Sequence, residues 1–125
     1  MNKSLRLLLA LPAILFMVLG LRWVVAPAGM AAELGMPLLE GVGLSTQIGD
    51  LGAFFFAGGL FVLIAVVTQK RSWFYAPALL LGFTALFRVL AWLLHDAAFA
   101  LDMILVEVIL TAMLLFAASR APEES

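Results

Sequence analysis

Four stretches of the chain, residues 5–25, 48–68, 74–94 and 99–118, are nearly unbroken runs of Leu, Val, Ile, Phe, Ala and Gly. Each is about 20 residues long, the length an α-helix rising 1.5 Å per residue needs to cross a hydrocarbon core. None of the four alternates apolar and polar positions as a strand of a membrane barrel does. An isolated apolar strand would leave its backbone groups unsatisfied in lipid. The pattern predicts an all-α integral membrane four-helix bundle, a single domain over 1–125.

The connections differ in kind. Gln69-Lys70-Arg71-Ser72-Trp73 and His95-Asp96-Ala97-Ala98 are short turns that make helices 2–3 and 3–4 antiparallel neighbours. The first connection, 26–47, is long and contains Pro27, Gly35, Pro37, Gly41 and Gly43. Within it, 27–34 predicts a short helix with Pro27 in its first turn and Gly35 just past its end. A helix that apolar lies at the membrane surface or folds back over the bundle. Pro12 falls inside the first span, where a membrane bundle tolerates it. Pro77 is expected in the first turn of the third, where its missing N–H costs little. Gly49, Ala53 and Ala57 are spaced to share a face that lets a neighbouring helix approach closely. The tail 122–125 reads as unstructured. Lys3 and Arg6 before the first apolar run resemble the start of a signal peptide, but Arg22-Trp23 after it is an interfacial anchor rather than a small-residue cleavage site. An uncleaved anchor serving as helix 1 is the preferred reading.

Composition sharpens this picture. Apolar residues make up 66% of the chain, charged residues 12%, and the mean hydropathy is +1.18. Soluble domains average roughly 45–50% and about 25%, and a short soluble fold has too little interior to hide the excess. The net charge of −1 points to no nucleic-acid partner. Without cysteine there is no disulfide, thiolate metal site or thiol redox chemistry, and with His95 as the lone histidine a bis-histidine haem site within one chain is excluded. No cofactor is implied. A metal site of His95, Asp96 and Asp102 is disfavoured, because positions 95 and 96 do not share a helix face and one imidazole is a thin ligand set.

Lys3, Arg6, Lys70, Arg71 and Arg120 fall at one end of the spans, and of the basic residues near a helix end only Arg22 falls at the other, alongside Glu33, Glu40, Asp96 and Asp102. The positive-inside rule then places both termini and the 69–73 turn in the cytoplasm, with Trp23 and Trp73 at the two interfaces.

The chemistry-bearing residues are the charges within or at the ends of the spans: Arg22, Asp50, Arg88 and Glu107. An ionisable group at membrane depth costs at least ~2.5–3.5 kcal/mol, so it is expected to face the bundle interior with a partner. Arg88 lies ~10 Å and Glu107 ~9 Å below the outer surface, counted at 1.5 Å per residue from the helix 3–4 turn, and the two should face each other. Thr84, Arg88, Trp92 and His95 form one stripe, Met103, Glu107 and Thr111 a second, and Asp50, Phe54 and Gly58 a third. Packed inward they would line an outer-half pocket bounded by Asp50, Phe54, Arg88, Trp92 and Glu107, with Arg22 and His95 near its mouth. Each residue also has a plain structural reading. Arg88–Glu107 is a register-setting ion pair, Asp50 a helix N-cap or acidic first turn, Arg22 a cation snorkelling to the headgroups, His95 a turn residue, and Phe54-Phe55-Phe56 ordinary packing.

Gly20-Leu21-Arg22-Trp23 with Pro27, Leu34-Gly35, Gly49-Asp50-Leu51-Gly52-Ala53-Phe54, Gly58-Gly59, Arg88 and Glu107 together resemble a bacterial family of four-helix inner-membrane proteins of unknown function allied to the DoxX-like proteins. The resemblance covers nearly the whole chain. It implies a four-helix fold in the bacterial inner membrane and brings no established activity.

Three function classes fit. The first is a binding or accessory protein whose pocket takes a lipid-like, quinone-like or other amphipathic molecule, or a partner helix, alone, as a homo-oligomer or in a larger membrane complex. The second is a proton-coupled transporter; small multidrug exporters share the length and helix count, but depend on an acid in the first helix, and 7–21 has none. The third is an enzyme on a lipidic substrate with Glu107 or Asp50 as acid/base, although a neighbouring Arg88 would hold Glu107 ionised. No catalytic residue is assigned. The charge asymmetry makes one prediction directly: reporter fusions after Arg71 and Arg120 should report from the cytoplasm and those after Glu40 and Ala97 from outside. An external signal after Arg71 or Arg120 would refute this orientation.

Overall fold

A computed structural model describes residues 2–122. Every regular element among them is a helix: α1 (Lys3–Val25), α2 (Pro27–Glu33), α3 (Gly41–Thr68), α4 (Arg71–His95) and α5 (Leu101–Arg120). Helices α1, α3, α4 and α5 are each long and apolar enough to cross a membrane. Their large exposed side chains, such as Leu7, Leu11, Ile14, Phe83, Leu90 and Ile109, are apolar, as lipid-facing surface requires.

The helix ends follow local chemistry. The Asn2 Oδ1 accepts the Leu5 N–H at 2.8 Å and caps α1. Helix α2 starts on Pro27 and stops before Gly35, whose φ of +72° suits glycine. Helices α3 and α4 end on Gln69 and Asp96, both left-handed, at φ 56° and 55°.

Several expectations need correction. Helix α3 begins at Gly41 rather than Ile48, and Gln47–Gly52 forms a π-helical turn within it, between the α-helical Gly41–Thr46 and Ala53–Thr68. Asp50 is therefore inside a helix and is neither its N-cap nor in its first turn. Helix α5 begins at Leu101, not Phe99. Helix α4 begins at Arg71, so Pro77 lies in its interior, buried. Of the expected tail, all but Pro122 lies outside the described residues, and Pro122 follows the last helix without regular structure.

Helix α1 packs most extensively on α3, and α4 on α5; α3 meets α4 less fully, and α1 barely touches α5. The larger core draws on all four spans: Leu9 and Ala13, Val62, Ala65 and Val66, Phe74, Ala78 and Leu81, Leu114, Ala117 and Ala118. It occupies the half nearer Lys3, Arg6, Lys70, Arg71 and Arg120, called here the basic end. A second core at the opposite, acidic end gathers Trp23, Met30 and Ala31 against Leu19, Leu34, Met36, Ile48, Leu51 and Phe55. It is made by α1, α2, the segment after α2, and α3; α4 and α5 contribute nothing to it. Trp23 is fully buried there, under α2, rather than at an interface.

The helices thus form two pairs, α1–α3 and α4–α5, which share the core of the basic half, while the core of the acidic end draws on the first pair alone. The inward stripe of α4 records this. Phe74, Ala78, Leu81 and Ala85 are buried, whereas Trp92, further along the same stripe, is 44% exposed.

The segment between α2 and α3 is tied down. Gln47, only 3% exposed, accepts the Leu39 N–H through Oε1 at 2.8 Å and donates from Nε2 to the Pro37 carbonyl at 2.9 Å. Arg22 donates to both carboxylate oxygens of Glu33, at 3.2 and 2.9 Å, fastening α2 to the end of α1. That bond holds the Glu33 carboxyl below its usual range. The clasp is intact at neutral pH and is lost only as pH falls through that lowered value.

The α1–α3 contact depends on missing side chains. A Cβ on Gly59 would strike the Ala13 carbonyl and Met17, one on Gly20 would come within 2.7 Å of Phe56, and one on Gly52 within 3.2 Å of the Trp23 Cβ. The expected small-residue face of Gly49, Ala53 and Ala57 is instead mostly exposed, with nothing within 4 Å of a Cβ on Gly49. Gly59→Ala should therefore destabilise by about 1–3 kcal/mol, as overpacking does, while Gly49→Ala should stay within about 0.5 kcal/mol. Thermal unfolding in mild detergent measures both.

Candidate functional site

The candidate site is the polar group that lies beyond the shared core, on the facing helices α4 and α5. Arg88 enters it from the inward stripe of α4. The facing helix brings Glu107 from its own buried stripe, with Ile104 and Leu114 a turn or two on either side. The Arg88 Nε donates to both carboxylate oxygens of Glu107, each at 3.0 Å. The two residues thus meet across the α4–α5 contact. Their surroundings are unequal: the Glu107 side chain is 10% exposed and that of Arg88 35%.

The guanidinium carries five N–H donors. Only Nε is engaged among the described residues; neither terminal amino group makes a hydrogen bond there. Arg88 is thus held in place through one edge and presents the other. Thr84 and Thr111, which share faces with Arg88 and Glu107, donate their hydroxyls to the Leu80 and Glu107 carbonyls of their own helices, at 2.7 Å each. They are already satisfied and add no free donor.

The other expected members are placed less uniformly. Trp92 stands one turn beyond Arg88, on the same stripe, and meets the Phe99 ring edge-on at 4.8 Å between centroids. Phe54 packs against the larger core and against Phe55. It also borders two apolar spaces. One is a narrow crevice in the bundle axis, lined by Leu9, Ala13, Phe16, Gly58, Leu81 and Leu114 among others; its free volume of about 20 Å³ has room for roughly one water-sized sphere. The second is a wide groove on the lipid side of the α3–α4 contact, where Phe54 and Phe61 face Leu79, Phe83, Thr84 and Phe87.

Asp50 is exposed on the π-helical turn, and its side chain makes no hydrogen bond or ion pair among the described residues. Arg22 is taken by Glu33. His95 is exposed at the end of α4. The four charges thus do not converge as one cluster. They resolve into Arg88–Glu107, Arg22–Glu33 and a solitary Asp50. No three His, Asp or Glu side chains among the described residues gather into a metal-binding group.

Sequence reasoning missed two residues that shape this end, Gln47 and Glu33. The available signal for Gln47 was an amide side chain just before an apolar run. Comparison with protein-family models, curated proteins and solved structures finds no match for this chain.

Breaking a buried ion pair from one side leaves an uncompensated charge and typically costs ~3–5 kcal/mol. Glu107→Gln or Arg88→Met alone should approach that range. The double variant should lose much less than the sum of the two, and additive losses in a double-mutant cycle would show the pair to be uncoupled.

Proposed function

We propose that this chain is a small binding or accessory protein of the bacterial inner membrane, with both termini cytoplasmic. Its cleft between the α1–α3 and α4–α5 pairs holds an amphipathic molecule entering from the outer leaflet. The observation that carries this reading is Arg88: pinned by Glu107 through Nε, it stays about a third exposed and keeps both terminal amino groups unengaged among the described residues. In a low-dielectric setting such donors favour an acidic or carbonyl headgroup. Glu107 orients the guanidinium and offsets its charge, so the bound headgroup need not carry a full negative charge. Trp92 and Phe54 supply apolar walls, and the segment fastened by Gln47 lies at the same end as a cover. Asp50 is at that end too, but shares no bond with Arg88.

The transporter and enzyme alternatives both need a carboxyl free to change protonation within the span. Glu107 is engaged on both oxygens by Arg88, which favours binding over proton exchange. Asp50, unpaired among the described residues and inside a spanning helix, is the acid more open to such a role.

The test is purification in mild detergent followed by extraction and mass spectrometry. Wild type should carry an amphipathic molecule. Arg88→Leu should lose it, and Arg88→Lys, which keeps the charge but not the planar donors, should retain the fold and carry at least several-fold less. Equal retention by wild type and the Lys variant would count against Arg88 as the headgroup ligand. A coeluting membrane protein in place of a small molecule would assign the cleft to a partner helix.

A further inference from the structure

The basic end carries an opening of its own, unrelated to Arg88. Five cations stand there: Lys3, Arg6, Lys70, Arg71 and Arg120. Every acidic residue among the described ones, from Glu33 to Glu107, belongs to the other end or the other half of the bundle. Two of the five cations are used internally. The Arg6 Nε donates to the Val66 carbonyl at 3.2 Å, and an Arg71 terminal amino group donates to the Ala121 carbonyl at 2.9 Å.

Arg120 is different. Its guanidinium lies over the Phe116 ring, 5.3 Å from the centroid, and among the described residues it has no ion pair or hydrogen-bond acceptor. This cation–π contact holds the group by the ring and uses none of its N–H donors. Beneath it the bundle is open. Helices α1 and α5 are its least-packed neighbours, and between the start of one and the end of the other lies a crevice of about 370 Å³ lined by Asn2, Leu5, Phe116 and Arg120. Leu5 and Phe116 give it apolar lining, and Asn2 and Arg120 polar and cationic lining, at the ends of two candidate membrane spans.

We propose that this crevice binds an acidic phospholipid of the adjoining leaflet, with the phosphate on Arg120 and the first part of an acyl chain against Leu5 and Phe116. The apolar floor selects a lipid over free phosphate. The surrounding surplus of cations selects an anionic headgroup over a zwitterionic one, as basic pockets between membrane helices do. Bound there, the lipid would fill the thinnest seam of the bundle.

The experiment compares lipid adducts by native mass spectrometry, and unfolding midpoints in mild detergent, for phosphatidylglycerol, phosphatidylcholine and inorganic phosphate. The full chain should retain one phosphatidylglycerol and gain thermal stability from it, and gain nothing from the other two. Arg120→Gln, a change at an exposed position, should weaken the adduct at least tenfold with an unchanged lipid-free midpoint. Arg120→Lys should recover part of the loss. Lys70→Gln, at the α3–α4 turn, should alter binding less than twofold. The proposal is overturned if Arg120→Gln binds like wild type, if phosphatidylcholine is held equally well, or if phosphate alone reproduces the gain. It is overturned too if lipid binds only after removal of Glu123 to Ser125, since the chain's own acidic tail would then be the occupant.

Discussion

Helix α3 rests against α1 with no side chain between the backbones at Gly20, Gly52 and Gly59, and the arrangement of the other helices follows from that contact. In lipid, apolar burial does not drive helices together, because the tails are as apolar as leucine; close packing must do so. The glycines permit it along most of both helices, so this pair extends as a unit to the acidic end, where α2 folds over it and buries Trp23. Helices α4 and α5 have no comparable run of glycines facing one another. Gly82, which meets Thr111, is the one close approach of that kind. Their second anchor is polar, the Arg88–Glu107 pair. Two pairs held by different means share a core only where α4 presents its small and apolar residues, Ala78, Leu81 and Ala85, to the rest of the bundle.

Polar groups buried in such a setting need partners, and most have them. Gln47 is bonded through both its oxygen and its nitrogen to backbone groups of the segment it restrains, and Arg6 and Arg71 serve carbonyls at helix ends. The exceptions are the Trp23 indole N–H and the Arg71 Nε, both buried without an acceptor among the described residues. An unmade hydrogen bond of this sort costs about 1–3 kcal/mol. For Trp23 the compensation is packing: it is among the largest fully buried side chains and the centre of the second core.

Much of the architecture was legible because span length and hydropathy depend only on local composition. The four spans, the short helix at Pro27 and the meeting of Arg88 with Glu107 all follow from counting residues along straight helices. The misreadings share a cause. Gly41, Gly43, Ser45 and Thr46 are weaker helix formers and the segment reads as loop, yet it forms the start of α3. The π-helical turn then adds a residue to the helical repeat. It rotates every position before Gly52 relative to those after it, so Asp50 and Phe54 do not continue one stripe and Gly49, Ala53 and Ala57 do not form the contact face. A phase slip of this kind leaves no mark in hydrophobic periodicity, because nearly every residue on either side is apolar. The Arg22–Glu33 clasp was hidden for a related reason: it depends on the angle at which α2 turns back at Ala26, which composition does not encode.

The ion pair and the opening explain each other. A guanidinium sealed in a closed core would need acceptors for all five of its N–H groups, and Glu107 supplies acceptors for one. Closing the bundle over Arg88 would strand the other four at a cost of several kcal/mol. Removing the charge would leave nothing polar to hold α4 on α5 beyond the basic half. The structure leaves Arg88 about a third exposed, with Nε on Glu107, and Trp92, one turn further on, is exposed as well. A position that must be charged to hold the pair together also needs acceptors for the donors that Glu107 leaves unmet, and the proposed binding role would draw on that need rather than on a separately built pocket.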